Sequence, residues 1–211
     1  MRIAPLLLFI CILSFGCADK KENDKIPVTD TMKEDTAAKI KPEKIVNSLA
    51  PVDISPMDMS YFPADYPKLK MDKPNMAPPM AKVVYSRPHL QGRKLFNDVL
   101  KFDEPWRLGA NEATEIDFYK DATIQGKKIK AGRYVLYSIP GQDKWTIILN
   151  SNIDSWGLHP DALKDIARFT VPAIQTSNSI EYFTMIFQPT TTGADLLMAW
   201  DNVEIKLPIS F

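Results

Sequence analysis

From Ala81 to its end, the chain is a series of short apolar runs, each of strand length, separated by turn-forming residues. In TEIDFYK (114–120), Ile116 and Phe118 fall on one face of a strand and the intervening residues on the other. Between the runs lie clusters of Gly, Pro, Asn, Ser and Thr, residues typical of turns. About eight or nine short strands of this kind predict an all-β fold, either an antiparallel β-sandwich or a jelly roll.

The remaining strand candidates are rich in β-branched and aromatic residues. They are AKVVYS (81–86), RYVLYSIP (133–140), WTIILN (145–150), IARFTVP (166–172), IEYFTMIFQ (180–188), DLLMAW (195–200) and VEIKLPI (203–209). Gln125 and Gly126 predict a hairpin turn within IQGKKI. Only HPDALKDIA (159–167) has a locally helical pattern, so we expect at most one short helix.

The first 17 residues have the organisation of an export signal. Arg2 precedes an apolar stretch from Ile3 to Phe15, and Gly16 stands before Cys17. The stretch is too short to span a hydrocarbon core of about 30 Å, and the polar sequence ADKKENDK follows it. Its end resembles a bacterial lipobox, although Ser14 stands where such signals usually carry Leu. We therefore predict a signal peptide over 1–16, a lipid on Cys17 and a lipid-anchored location in the cell envelope, with simple secretion as the alternative.

Removal of the signal would leave Cys17 as the sole cysteine of the mature chain, because the other, Cys11, lies inside the signal. A lipidated sulfur forms no disulfide. The exported domain would therefore depend on its hydrophobic core for stability. Apolar residues make up 45% of the chain, enough for such a core.

Two segments with different compositions separate Cys17 from the strand series. Residues 17–50 are rich in Lys, Asp, Glu, Thr and Pro, lack aromatic residues, and are predicted to be a flexible tether. Residues 51–80 contain seven prolines and five methionines together with Tyr61, Phe62 and Tyr66. This density of proline argues against a regular helix or a central strand, and the aromatic content favours a strap across the domain of 81–211. Continuation of the linker is the alternative.

The charge balance argues against nucleic acid as a partner. The 26 Lys and Arg residues equal the 26 Asp and Glu residues in number, so the chain has no excess of positive charge to attract a phosphate backbone.

Polar residues are most concentrated in SRPHLQGRKLF (86–96) and WRLGANEAT (106–114). The candidate ligand-binding residues of these segments are Arg87, His89, Arg93, Trp106, Arg107, Asn111 and Glu112. Guanidinium groups beside an indole suit a carboxylate, a phosphate or a sugar ring. Ion pairs of the arginines with Glu112 or Asp103 would instead give the cluster a structural role, and the sequence leaves both interpretations open. Trp145, Trp156 and Trp200 are interpreted as core or rim aromatics, with a sugar-stacking platform as the alternative.

The chain resembles a bacterial envelope-protein family catalogued as domain of unknown function 2911. The matching stretches are YSRP with GR (85–93), WRLGANEATEI (106–116), GKKIKAGRYVLYSIPG (126–141), WTIILN (145–150), SWG (155–157), IEYFTMIFQ and LLMAWDNVEIKLPI. SPMDMSYFP (55–63) is similar to the family's leader. Asn97 departs from the pattern, because the family usually has Gly there. The resemblance implies a fold and an envelope location but no activity.

Catalytic motifs are scarce in the sequence. His89 and His159 are the only histidines, and neither has a His or Cys at metal-ligand spacing, so we predict no metal and no cofactor. No nucleophile elbow or phosphate-binding glycine loop is present. We expect the chain to bind a small anionic or carbohydrate ligand, or an envelope protein. One alternative is a hydrolase with a triad of distant residues, in which His89 or His159 would be the base. The other is a structural envelope component without ligand.

Overall fold

The computed structural model describes residues 53–211, so the predicted signal peptide, Cys17 and the tether lie outside the described residues. Within this range the elements are β1 (Met57–Phe62), α1 (Tyr66–Asp72), β2 (Ala81–Ser86), β3 (Thr114–Phe118), β4 (Ala122–Ile124), β5 (Lys127–Ile129), β6 (Gly132–Pro140), β7 (Lys144–Asn150), β8 (Asp165–Pro172), β9 (Ile174–Pro189) and β10 (Gly193–Ser210). None of the helices in residues 53–211 has the length and apolarity needed to cross a membrane.

The strands form two antiparallel sheets. One has the order β1-β2-β3-β6-β7-β8, and the other has the order β5-β4-β10-β9. Ile116 and Leu136 of the first sheet share one buried cluster with Phe183 and Leu196 of the second. The core therefore lies between the sheets, which confirms the predicted antiparallel β-sandwich.

Local patterns identified β3 and the β4–β5 hairpin correctly. Ile116 and Phe118 are buried, whereas their neighbours on the opposite face are partly exposed. The hairpin turns at Gln125 and Gly126, whose φ angles of 46° and 79° are those of the turn that matches the twist of paired strands.

β10 folds back on itself. An extended strand of 18 residues would be about 60 Å long, yet the amide of Phe211 donates to the carbonyl of Thr192 at 3.1 Å. The reversal occurs at Asp201, where φ is 52° and the pairing register with β9 shifts on both sides. The two arms of β10 correspond to the strand candidates 195–200 and 203–209.

The prediction of a helix over 159–167 is wrong. Only Ala162–Lys164 forms a single 3-10 turn, and β8 begins directly after it at Asp165. The Asp165 carboxylate accepts hydrogen bonds from the Tyr137 hydroxyl at 3.0 Å and from Asn150 Nδ2 at 2.7 Å. These tertiary contacts and the pairing of β8 with β7 override the local helical preference.

The expectation that proline excludes a regular helix from 51–80 is also wrong. The helix α1 forms at Tyr66–Asp72, because Pro67 occupies its first turn, where the missing amide hydrogen has no intrahelical partner to lose. The expectation of no central strand is confirmed, since β1 lies at the edge of its sheet. Edge positions tolerate the flanking prolines.

Asn97 lies in an irregular turn over Leu95–Val99, with φ of 94° and ψ of −43°. This positive φ favours glycine, the residue that the family resemblance places here.

We expect Asn97→Gly to stabilise the fold by about 0.5–1 kcal/mol, because relief of backbone strain of about 1–3 kcal/mol exceeds the added freedom of the unfolded chain. Urea denaturation checks this. Asn178→Gly, at an exposed position without positive φ, is the matched control and should lose stability; a loss in both variants would contradict the argument.

Candidate functional site

A cavity of about 400 Å³ lies at the end of the sandwich where β2 ends and β3 begins. Parts of four segments surround it, namely residues 54–55, the loop between β2 and β3, the loop between β7 and β8, and strand β10. Its apolar wall consists of Ile54, Pro88, Val99, Leu100, Pro105, Trp106, Leu158 and Trp200. Its polar residues include His89, Arg93 and Arg107. An apolar cavity with a few convergent polar groups is the usual form of a small-molecule site.

The structure brings four of the seven predicted ligand-binding residues into this cavity. They are His89, Arg93, Trp106 and Arg107. Arg87 lines an adjoining cavity that shares His89, and Glu112 lines a third cavity beside Trp156. Asn111 contributes to the site only through its contact with a neighbouring segment.

The loop that carries Arg107 is fixed by the buried hydroxyl of Ser86. Ser86 Oγ accepts hydrogen bonds from the amides of Ala110 at 2.7 Å and Asn111 at 3.1 Å. A Cβ atom on Gly109 would lie 2.7 Å from the same oxygen, so only glycine fits at this position without a shift. The Gly-Ala-Asn turn after Arg107 is therefore rigidly placed.

Trp106 forms part of the floor of the cavity. Its backbone exchanges two hydrogen bonds with Ser138 of β6, at 2.7 and 2.8 Å. Its indole N–H donates to the carbonyl of Gly109 at 3.1 Å, and its ring stacks on Trp200 with centroids 5.6 Å apart. Because the N–H is already used, Trp106 offers the cavity mainly its ring surface.

Arg87 has a structural role that the sequence did not distinguish from ligand binding. Its Nε donates to the carbonyl of Phe183, its Nη1 to the carboxylate of Asp58, and its Nη2 to Thr184 Oγ1, at 3.1–3.2 Å. These contacts tie β2 to β1 and to β9 of the other sheet. All three nitrogens of the Arg87 guanidinium therefore donate to protein acceptors.

Arg93 and Asn111 also serve the scaffold. Arg93 donates through Nε to the carbonyl of Leu90 and through Nη2 to that of His89, both at 2.8 Å. Asn111 Nδ2 donates to the Asp53 carboxylate at 2.6 Å. Arg93 thus closes the loop after β2, and Asn111 holds residues 53–55 against the cavity.

Arg107 differs from the other two arginines. Its Nη1 is buried and has no hydrogen-bond partner within residues 53–211. The ion pairs formed in this part of the chain do not join Arg107 to Glu112 or Asp103, the predicted structural partners. Its guanidinium carbon lies 6.0 Å from the ring centre of Trp156. Burial lowers the pKa of Arg107, and the charge of Glu112 opposes this effect.

His89 presents a second unsatisfied nitrogen. Its ring stacks on Tyr182 with centroids 4.9 Å apart, and its Nδ1 lies 3.7 Å from the carboxylate of Glu181. Its Nε2 is buried and finds no partner in the described part of the chain. Buried polar atoms are usually hydrogen-bonded, so two unpaired nitrogens on residues that line one cavity call for a functional explanation.

The interpretation of the other tryptophans as core or rim residues is confirmed. Trp145 and Trp200 are buried, whereas the side chain of Trp156 is 57% exposed at the rim. Trp156 covers Arg107, and the next residue, Gly157, approaches Arg107 so closely that a Cβ atom would lie 3.1 Å from Arg107 Cβ.

The family described as protein of unknown function (DUF2911) has a model that matches residues 69–209. The chain belongs to this family. No curated protein and no solved structure gives a significant match. The DUF2911 match includes most of the cavity wall but excludes Ile54 and Ser55. Its description assigns no activity, so the function has to be argued from the residues of the site.

Sequence reasoning missed Ile54, Leu158 and the cavity-facing side of Trp200. Ile54 and Leu158 lie in irregular segments without periodicity, and they approach the cavity only through the fold. The SWG motif (155–157) was a usable signal, because it pointed to the loop that covers Arg107. No group of three or more His, Cys, Asp or Glu side chains suited to a metal ion occurs within residues 53–211.

Proposed function

We propose that this DUF2911 domain binds a small anionic ligand in the cavity, with Arg107 as its charged contact and His89 as a second polar contact. The observation that carries the proposal is the pair of buried, unpartnered nitrogens, Arg107 Nη1 and His89 Nε2, on residues that line the same cavity. Leaving such an atom unsatisfied costs about 1–3 kcal/mol, more for a charged group. A ligand whose acceptor oxygens reached these two atoms would remove this cost.

The contrast among the three arginines supports a ligand for Arg107 in particular. Arg87 donates hydrogen bonds to a backbone carbonyl, a carboxylate and a hydroxyl of the protein, and Arg93 donates to two backbone carbonyls. Arg107 keeps Nη1 free of such partners in the described chain, while its loop is fixed by Ser86. A prearranged guanidinium loses little freedom on binding, and this favours affinity.

The geometry at His89 does not favour the alternative of a hydrolase that uses this histidine as its base. A Ser–His mechanism needs a hydroxyl within hydrogen-bond reach of the histidine base. Nε2 of His89 has no hydroxyl partner among residues 53–211, and Ser86 Oγ is buried and accepts two backbone amides. We therefore retain binding without chemistry as the proposal.

The binding proposal is tested with Arg107→Lys in the purified full-length chain. We expect the variant to melt within about 1 °C of the parent and to lose at least about tenfold in anion affinity, since Lys keeps the charge but not the planar donor fork. Calorimetric titration with a set of small carboxylates and phosphates measures the affinity. Arg133→Lys, at an exposed arginine on β6 that does not line the cavity, is the matched control and should leave binding unchanged.

The structural alternative for Arg107 has a distinct signature. If Arg107 served only to satisfy Glu112, then Arg107→Lys, Arg107→Ala and Glu112→Gln would each lower the melting temperature clearly. That result in all three variants would overturn the proposal. Near-native melting in all three would reject the structural role.

We further propose that the domain is held at a membrane by a lipid on Cys17. The support is the sequence pattern at 1–17, since these residues lie outside the described structure. Cys17→Ala should abolish incorporation of a fatty-acid analogue in growing cells and leave the chain uncleaved or soluble. Label retained in the variant would contradict lipidation at this residue.

A further inference from the structure

The cavity that contains Arg107 also restricts the kind of anion that fits. The inference drawn from this restriction rests on the proposed function, because it assumes that the cavity binds an anion. Three properties of the site bear on it: the charges near the two unpartnered nitrogens, the use of the indole N–H groups, and the apolar wall.

Charge near the site opposes a doubly charged ligand. The cavity has two guanidinium groups, Arg93 and Arg107. Two carboxylates lie near the polar side chains of the cavity: Glu181 is 3.7 Å from His89 Nδ1, and the charge of Glu112 acts on Arg107. Arg93 already donates through Nε and Nη2 to two backbone carbonyls, so Arg107 is the guanidinium available to a single carboxylate. The second charge of a phosphate dianion would instead be repelled by Glu112 and Glu181.

The tryptophans of the cavity offer few hydrogen-bond donors. The indole N–H of Trp106 donates to Gly109, and that of Trp200 donates to the carbonyl of Glu181, each at 3.1 Å. A sugar has several hydroxyl groups, and each loses its bonds to water on burial. Since both indole donors are already satisfied, the aromatic wall suits an apolar body better than a sugar ring.

The remaining wall is apolar as well. Val99, Leu100 and Leu158 lie in the lining together with the two tryptophans. The volume of about 400 Å³ is near the lower end of the range of about 300–1,000 Å³ for small-molecule sites. The body of the ligand is therefore small as well as apolar.

We infer that the cavity binds a small monocarboxylate with an aromatic or branched apolar body. The carboxylate contacts Arg107, and the apolar body lies against Trp106, Trp200 and Leu158. Burial of the apolar body supplies the affinity, and the guanidinium supplies the selectivity for an acid over its neutral analogue.

The experiment is a calorimetric titration of the full-length chain at pH 7.5 with matched probes. Benzoate, 3-phenylpropionate, indole-3-acetate and the branched 4-methylpentanoate test the carboxylates, and the corresponding amides test the charge. Phenyl phosphate tests a dianion, and glucuronate tests an anionic sugar. We expect at least one carboxylate to bind at least about tenfold more tightly than its amide, than phenyl phosphate and than glucuronate.

Two variants separate the contributions of the two ends of the ligand. Arg107→Lys should reduce the preference for the acid over the amide to less than about threefold. Leu158→Ser, at a residue that is 57% exposed and lines the cavity, should weaken acid and amide by the same factor and leave the melting temperature unchanged.

The outcomes distinguish this inference from the proposed function. Tighter binding of phenyl phosphate or glucuronate, lost in Arg107→Lys, would overturn the monocarboxylate and leave an anion site in place. Failure of every anion to bind would overturn both. Equal binding of acids and amides would show that the cavity recognises the apolar body of a ligand and not its charge. That result would also overturn both the monocarboxylate inference and the proposed anion binding.

Discussion

Trp200→Ala should lower the free energy of unfolding by about 3–5 kcal/mol, the cost of removing a large aromatic side chain from a packed core. Trp200 is 2% exposed and packs against Trp106 and Phe183, with ring centroids 5.6 and 6.0 Å away. The truncation removes these contacts and leaves an empty volume between the sheets. Urea denaturation followed by circular dichroism measures the change.

Trp200→Phe is the graded control for this prediction. Phenylalanine keeps most of the ring packing but cannot donate to the Glu181 carbonyl, the bond that the indole N–H makes at 3.1 Å. Its cost should be about 1–3 kcal/mol, from the lost bond and a smaller void. A loss below about 1 kcal/mol in the alanine variant would show that the core relaxes into the space, contrary to a tightly packed interior.

Asp165→Ala should destabilise the domain by about 2–4 kcal/mol, because the side chain is a shared acceptor at the start of β8. Its carboxylate accepts from Tyr137 and Asn150, and both of these residues are buried. Removal leaves the Tyr137 hydroxyl without its acceptor. The ion pair with Arg168 adds little, because Arg168 is about half exposed.

The pH dependence of Tyr137 gives an independent readout. Burial, and then the hydrogen bond to Asp165, raise the pKa of Tyr137 to about 12. A pKa raised in the folded state contributes stability that is complete below the unfolded value of about 10 and is lost as the pH rises toward 12. In Asp165→Ala the ultraviolet titration of Tyr137 should shift to lower pH. An unchanged titration together with unchanged stability would mean that Asp165 does not hold this network.

The strands that the sequence predicted best are those whose burial follows from the local alternation or density of apolar residues. β3 alternates cleanly between the core and the outer face, and the 145–150 run is buried throughout most of its length, as its apolar density required. The helix expected at 159–167 failed for the opposite reason. The Asp165 carboxylate accepts hydrogen bonds from Tyr137 and Asn150, which lie 28 and 15 residues away in sequence. No local sequence pattern could predict these contacts.

The sequence predicted the residue types of the candidate site but not the role of each residue. Arg87, Arg93 and Arg107 carry the same side chain, and the sequence could not assign separate roles to them. What separates them is the presence or absence of protein acceptors from distant elements, such as Phe183 and Asp58 for Arg87. The apolar wall could not be foreseen because Ile54 and Leu158 are brought together only by the fold.

The two ends of the described chain lie at opposite ends of β1 and β2, with a practical consequence for surface attachment. Asn111 binds Asp53 beside the cavity, whereas Phe211 stacks on Phe62 at the far end of β1, with ring centroids 5.4 Å apart. Immobilisation through the residues just before 53 would place the opening of the cavity next to the solid support and restrict the access of solutes. A fluorophore or affinity handle placed after Phe211 would leave solute access to the cavity open.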